Sequence, residues 1–271
     1  MQIQDKVAVV TGGASGIGRA VSLELARRGV KKLAMVDQSD QVGIAAGQVN
    51  NEVDAEVAVT YQGDVTDDAF RAQVYDELCE QHGVVHICIP AAGITRDALA
   101  VKVDKETTDA MIYPREDFQQ VVNVNLIAPI YWAMEMIARI AEDRARRGLQ
   151  RWHPDEHLQG TVIFLGSVSS QGNKGQVSYA STKAGLEGAA STLTKEAIFH
   201  GVRCGVIHPG FTDTPMVRAL GDDYIENHIL PDTQIGRLIR PTEIADAICF
   251  MIGNSIVSGQ LWADAGWHPS A

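Results

Sequence analysis

The first 37 residues constrain this chain most. Residues 6–10 (KVAVV) are short, β-branched and apolar, the pattern of a buried parallel strand. They run straight into Thr11-Gly12-Gly13-Ala14-Ser15-Gly16-Ile17-Gly18. A helical pattern follows, with Ile17, Val21 and Leu25 on its apolar side. Arg27, Arg28 and Gly29 close it, cations in the last turn and glycine at the cap. Residues 32–36 form a second strand, and Asp37 sits at its end. Glycines let a backbone turn tightly and approach a pyrophosphate. A helix N-terminus offers free N–H groups to that anion, and an acid after the second strand accepts bonds from the adenosine ribose. The order therefore predicts a dinucleotide site. Its spacing is G-x-x-x-G-x-G rather than the general G-x-G-x-x-G. No Gly-Lys-Ser/Thr follows, which excludes a P-loop. Asp37 repels a 2′-phosphate, no Lys or Arg directly follows it, and Ser15 rather than a basic residue stands in the glycine loop. NAD is expected over NADP.

Strands and helices keep alternating to the C-terminus. Further strands are expected at 57–61, 84–89, 161–165, 204–207 and 260–263. Helices are expected at 67–80 with Thr66 as N-cap, at 118–145 with an interruption near Pro129, at 177–199 and at 242–252. This predicts an α/β protein: a single-domain Rossmann fold over 1–271, with a doubly wound, mainly parallel seven-stranded sheet flanked by helices. The stretches 98–115 and 148–159 read as surface excursions. The second holds His153 and His157, but Pro154 lies between them and no third ligand is evident, so no metal is expected.

Composition excludes other classes. Lys and Arg number 23 against 34 Asp and Glu, a net charge of −11, which opposes loose binding to nucleic acid. The one dense basic run, 144–151, reads as the solvated end of a helix. Cys79, Cys88, Cys204 and Cys249 are far apart, as buried thiols in a reducing compartment would be. No signal peptide pattern opens the chain, and no stretch reads as the roughly 18 apolar residues of a membrane span. A cytoplasmic protein without membrane contact is expected.

Ligands of a doubly wound sheet sit beyond the carboxyl ends of its strands. Ser167 follows the fifth strand, Tyr179 and Lys183 share one helix face at i and i+4, and Asn125 lies mid-helix, where a polar residue is costly. A lysine ammonium and an oxidised nicotinamide would favour the phenolate of Tyr179. Tyr179 would then remove an alcohol proton as hydride leaves, or return it in reduction. Ser167 would hold the substrate oxygen, Lys183 would also bind the nicotinamide ribose, and Asn125 would fix a water that relays protons.

With these residues in place the chain resembles the classical short-chain dehydrogenase/reductase family over essentially its full length. It is most similar to the branch of 3-oxoacyl-(acyl carrier protein) reductases and related hydroxy-group dehydrogenases. Residues 11–18 match the cofactor loop, including Gly12, Ser15, Gly16, Ile17 and Gly18. Tyr179-Ala180-Ser181-Thr182-Lys183 matches the Y-x-x-x-K pattern, and Asn125 and Ser167 match the other two catalytic positions. Asp64-Val65 matches the adenine-contacting pair. Ala92-Gly93 matches the end of the Asn-Ala-Gly after the fourth strand. Pro209-Gly210-Phe211-Thr212-Asp213-Thr214 matches the segment holding the nicotinamide, with contacts from around Phe211 and from Thr214. The resemblance also implies a homotetramer, with the two long helices and the C-terminal segment at interfaces. Three departures stand out. Ala91 replaces the asparagine of Asn-Ala-Gly, which implies altered local bonding. Ser167 lies 12 residues before Tyr179 where 13 is commoner, which reads as a shorter loop keeping Ser167, with Ser169 as a weaker substitute. Both excursions are longer than in a minimal reductase.

Substrate choice is assigned to the loop around 211–236, where Met216, Val217, Leu220, Tyr224, Ile229 and Leu230 stand among acids. They form either the apolar inner face of a lid or packing against the domain or a partner chain. Ser169, Gln171 and Gln176 are candidate polar contacts. Trp262, Trp267 and His268 either reach a neighbouring subunit's site or bury an interface. The expected function is an NAD-dependent oxidoreductase interconverting a secondary alcohol and a ketone, acting on a small molecule. The alternative is an NADPH-dependent 3-oxoacyl thioester reductase of fatty-acid synthesis type, although net acidity makes an acidic carrier protein a less natural partner. An epimerase or dehydratase retaining NAD, and a non-catalytic dinucleotide-binding regulator, are the rivals from other classes.

Overall fold

The computed structural model describes residues 1–267. The chain opens with β1 (Val7–Thr11), α1 (Gly16–Arg27), β2 (Lys32–Asp37), α2 (Gln41–Val53), β3 (Ala58–Gln62), α3 (Asp68–His82) and β4 (Ile87–Pro90). A hairpin of β5 (Val101–Val103) and β6 (Ala110–Ile112) interrupts the alternation. Then come α4 (Arg115–Val122), α5 (Ala128–Arg146), β7 (Gly160–Leu165), α6 (Val177–Ala197) and β8 (Val202–Pro209). Two short helices, α7 (Pro215–Arg218) and α8 (Asp222–Tyr224), precede α9 (Pro241–Gly253) and β9 (Gly259–Ala263). The seven-stranded sheet runs β3-β2-β1-β4-β7-β8-β9, and every neighbouring pair is parallel. This is the Rossmann-like, doubly wound architecture that the alternation predicts. Helix α2 adds to it: Gly43, Ala45, Ala46 and Gly47 dilute the apolar period that would announce a helix.

Period-two alternation builds a core on each face. Ala8 and Val10 of β1 pack with Val21 and Leu25 of α1 and Ile244 and Ile248 of α9. Val7 and Val9 join Leu78 of α3, Trp132 and Met136 of α5 and Leu186 of α6. With both faces covered, strands read as continuous apolar runs. Strand order reverses between β1 and β4, and the crevice there is where such sheets bind ligands.

Several expectations change. The helical stretch 115–146 is continuous, and its irregularity is a π-turn at Asn123–Ile127 rather than a break at Pro129. Pro129 has no N–H for the carbonyl four residues back, that of Asn125, and the helix widens there. By length and composition this 32-residue helix could cross a membrane, with an 18-residue window of mean hydropathy 1.4, contrary to the expectation. Its apolar side is core: Trp132, Met136 and Ile140 are buried against the sheet. Arg144 is not solvated. It is buried and paired to Glu156 at 2.6 Å, which ties excursion 148–159 to the end of α5. The cap of α3 is Asp67, accepting from the N–H groups of Ala69 and Phe70, while Thr66 donates to Asp64. Among the described residues no group of three or more metal-binding side chains gathers. All four cysteines are free, with Cys88, Cys204 and Cys249 buried and Cys79 half-buried.

Trp132 links this core to the cleft. Its ring is fully buried, its Nε1 donates to the Val65 carbonyl at 2.9 Å, and its own carbonyl accepts from Tyr75. Trp132→Ala is expected to cost about 4 kcal/mol in urea unfolding. A loss below about 1 kcal/mol would show that the ring is not holding the layer together.

Candidate active site

The cleft begins at a turn that side chains would block. Gly12 and Gly16 have φ of +68° and +52°, a region that favours glycine. A Cβ on Gly12 would lie 2.8 Å from the Ala92 nitrogen, and one on Gly18 only 2.1 Å from the Gly12 carbonyl oxygen. The start of α1 therefore presses directly on the turn. Ser15 is its N-cap residue but makes no side-chain cap bond, which leaves first-turn N–H groups open to an anion. Thr11 braces the far wall: its carbonyl accepts from Ala91 N–H at 3.2 Å and its Oγ1 from Ala92 N–H at 3.1 Å. These features fit a dinucleotide.

A cleft of about 570 Å³ extends from the turn along the switch point. Gly12, Ser15, Gly16, Ile17, Gly18 and Asp37 line it from the first unit. Asp64 and Val65 follow β3, and Ala92 and Gly93 follow β4. Tyr179 and Lys183 project from α6, and Pro209, Gly210, Phe211, Thr212 and Thr214 follow β8. Every residue predicted for the cofactor thus borders one space. Ser167 and Ser169 border it as well, but Gln171 does not.

Ser167 leaves β7 as the N-cap of a 3₁₀ turn, Val168–Gln171, its hydroxyl oxygen accepting from Ser169 N–H. The shorter loop still brings the Ser167 hydroxyl to Tyr179. Burial pushes the Tyr179 phenol up to about 12, with the Ser167 hydrogen bond pulling down and Asp97 pushing up. The expected lowering by lysine is overridden. Lys183 sits 5.4 Å from the centre of the Tyr179 ring, and its Nζ donates to the Leu165 carbonyl at 2.7 Å. Burial lowers the Lys183 ammonium to about 8. In the unliganded cleft this phenol holds its proton at neutral pH. Asn125 does not border the cleft. Its amide is spent on Ile94, donating to the carbonyl at 2.8 Å and accepting from the N–H at 2.9 Å, so its side chain braces the loop after β4.

Sequence reasoning missed the substrate end. Gln120, Asn123 and Val124 also border the cleft, and their i, i+3, i+4 spacing was a legible sign. Arg96 and Asp97 border it too, at the root of the hairpin, where Gln176 donates to Asp97 at 2.7 Å. The loop 211–236 splits between its two readings. Met216, Val217 and Leu220 border the cleft, while Ile225, Ile229 and Leu238 form a small core with Phe211, Val217 and Leu230. Trp262 stacks on His208 and Trp267 meets Phe211 edge-on at 5.2 Å within the chain; His268 lies outside the described residues.

The Gly18 contact gives a direct check. Gly18→Ala should weaken dinucleotide binding by more than about 100-fold in fluorescence titration, since the added methyl would need the turn to move. Unchanged affinity would remove the turn from the binding site.

The chain's relatives agree with this geometry. The short chain dehydrogenase family matches residues 6–225. The 3-oxoacyl-[acyl-carrier-protein] reductase FabG of Escherichia coli is 32% identical over 260 residues, covering 93% of this chain and 91% of that protein. Its counterpart from Thermotoga maritima is 30% identical, covering 96% of both chains. An acetoacetyl-CoA reductase of Synechocystis is 32% identical, covering 98% of this chain and 97% of that protein. These names correct the cofactor expectation. They belong to the 3-oxoacyl thioester reductases, the NADPH-dependent class, so the assignment of NAD from Asp37 does not stand. The reason is visible at the residue. The two oxygens of Asp37 accept from the N–H groups of Ala14 and Ser39, each at 3.0 Å, so the acid holds the glycine loop whatever the ribose carries. Fold, cleft and relatives together establish that the chain is a catalytic-type oxidoreductase of the short-chain dehydrogenase/reductase family.

Proposed function

We propose that this protein reduces a 3-oxoacyl thioester to the 3-hydroxyacyl thioester. The observation that carries the reading is the end-to-end match to reductases of 3-oxoacyl and acetoacetyl thioesters, combined with a tyrosine held as an acid at the cleft. When bound, the reduced dinucleotide supplies a hydride to the ketone carbon. Ser167 and Tyr179 hold the ketone oxygen, and Tyr179 gives that oxygen its proton. Lys183 stabilises the resulting phenolate. A water on the Asn125 carbonyl returns a proton toward Tyr179. Met216, Val217 and Leu220 offer an apolar wall to the acyl chain. The same reading includes a homotetramer with exposed Ile127, Tyr131 and Met134 of the α4–α5 helix at its contacts, which sedimentation velocity reads.

The test is absorbance at 340 nm with acetoacetyl-CoA, run with NADPH and NADH in parallel. Turnover is expected, and Tyr179→Phe should lower kcat by about 10³-fold. Turnover of simple ketones with none of the thioester would overturn the substrate assignment.

The pH profile has a defined sign. Reduction needs neutral Tyr179 and charged Lys183. Below about 8 both conditions hold, because the phenol titrates only near 12. As pH rises through about 8 Lys183 loses its charge, so kcat/KM should fall about tenfold per unit. Lys183→Met should be slow and lack that limb, and an alkaline limb surviving in it would assign the titration elsewhere.

A further inference from the structure

Beside Ser167, β8 carries a histidine that the proposed chemistry does not use. His208 is fully buried. β7 pairs with β8 as far as Leu165 opposite Ile207, and Gly166 N–H still reaches the Ile207 carbonyl at 2.8 Å. The next amide has left the ladder. Ser167 N–H donates instead to Nδ1 of His208 at 3.3 Å, and Nδ1 stands 3.1 Å from the Ser167 carbonyl oxygen and 3.5 Å from the Ser170 hydroxyl. A Cβ at Gly166 would lie 2.5 Å from Nδ1, so the absence of a side chain there admits the ring. Trp262 stacks on the imidazole, centroids 4.2 Å apart and planes 13° apart. Nε2 points toward Glu187, 3.8 Å from Oε1, and Gln260 donates to the other oxygen of that carboxylate at 3.1 Å. Glu187 lies on α6, four residues beyond Lys183 and eight beyond Tyr179.

Nδ1 finds a partner in either tautomer, donating to the Ser167 carbonyl or accepting from the Ser167 N–H and the Ser170 hydroxyl. A neutral imidazole has one N–H and one lone pair, so the Nε2 end decides. A proton on Nδ1 would leave the buried Nε2 lone pair facing the Glu187 carboxylate, 3.8 Å away; a proton on Nε2 turns an N–H dipole to that charge, at the cost of one contact between Nδ1 and the Ser167 carbonyl oxygen. Burial lowers the imidazole's affinity for a second proton. We infer that His208, held in its Nε2–H tautomer by Glu187 and clamped by Trp262, is a positioning residue that fixes the Ser167 backbone and so aims its hydroxyl at the reacting oxygen. The inference rests on Ser167 holding the substrate oxygen.

Three variants and one spectroscopic measurement test it. Asn at 208 can put an amide oxygen where Nδ1 stands, whereas Gln places its amide near Nε2 and Leu has no acceptor. His208→Leu and His208→Gln should bind the dinucleotide within about twofold of wild type, yet lose about 30-fold in kcat, the effect of leaving a buried amide unpaired. His208→Asn should recover to within about threefold. In ¹⁵N-histidine NMR of the unliganded protein, His208 should show a protonated Nε2 and an unprotonated Nδ1. Full kcat in His208→Leu, His208→Asn as slow as His208→Gln, or an Nδ1–H signal would each overturn the assignment. If His208→Leu does not fold, the Asn–Gln comparison and the NMR signal decide. Absence of thioester turnover by the wild type would count against the substrate reading alone, because the NMR signal is read without substrate.

Discussion

The cleft depends on backbone approaching backbone where no side chain can stand. At the turn, the start of α1 rests on the Gly12 carbonyl because Gly18 has no Cβ, and Gly12 itself lies against Ala91 and Ala92. That contact sets the spacing of β1 and β4, the strands between which the sheet reverses. The opposite wall repeats the device: a Cβ on Gly210 would lie 2.6 Å from the Asp264 carbonyl oxygen. Peptide groups therefore shape much of the cofactor half of the cleft. Such a surface suits a pyrophosphate, which is recognised through N–H groups and the helix N-terminus rather than through particular side chains.

The same tight construction sets the proton chemistry. Burial acts on the two titratable groups of α6 in opposite directions, raising the phenol of Tyr179 and lowering the ammonium of Lys183, because it penalises whichever form is charged. The attraction of the phenolate to the lysine ammonium and to an oxidised nicotinamide acts the other way. Desolvation, which no spacing reveals, outweighs it in the unliganded cleft. The phenol of the unliganded cleft therefore keeps its proton at neutral pH, and the Leu165 carbonyl holds the lysine beside it.

How far the chain could be read in advance follows from this division. Backbone-defined features were legible: the glycine loop, the alternation, and the residues after each strand that border the cleft, because parallel strands bury both faces and loops at their carboxyl ends carry ligands. Features made by one side chain reaching a distant backbone were not. Arg144 reads as a surface cation until Glu156 turns back to meet it. Asn125 reads as a polar residue free to fix a water, yet its side-chain amide is consumed by Ile94. Asp37 reads as a ribose ligand alone because its bonds to Ala14 and Ser39 cross the loop.

The substrate half is built differently, and that explains why family likeness speaks more clearly there than residue chemistry. Its walls are side chains on the hairpin root, on α4 and on α7. The hairpin is anchored where it meets the catalytic helix: Tyr113 donates to the Arg96 carbonyl at 2.5 Å and shares a hydrogen bond with Ser178, the residue before Tyr179. Asp97, one residue on from Arg96, binds Gln176 and is itself one of the charges raising the Tyr179 phenol. An insertion that looks peripheral in the sequence is therefore tied to the start of α6 through Tyr113, Asp97 and Gln176, so its seating and the surroundings of the Tyr179 phenol must be understood as one unit.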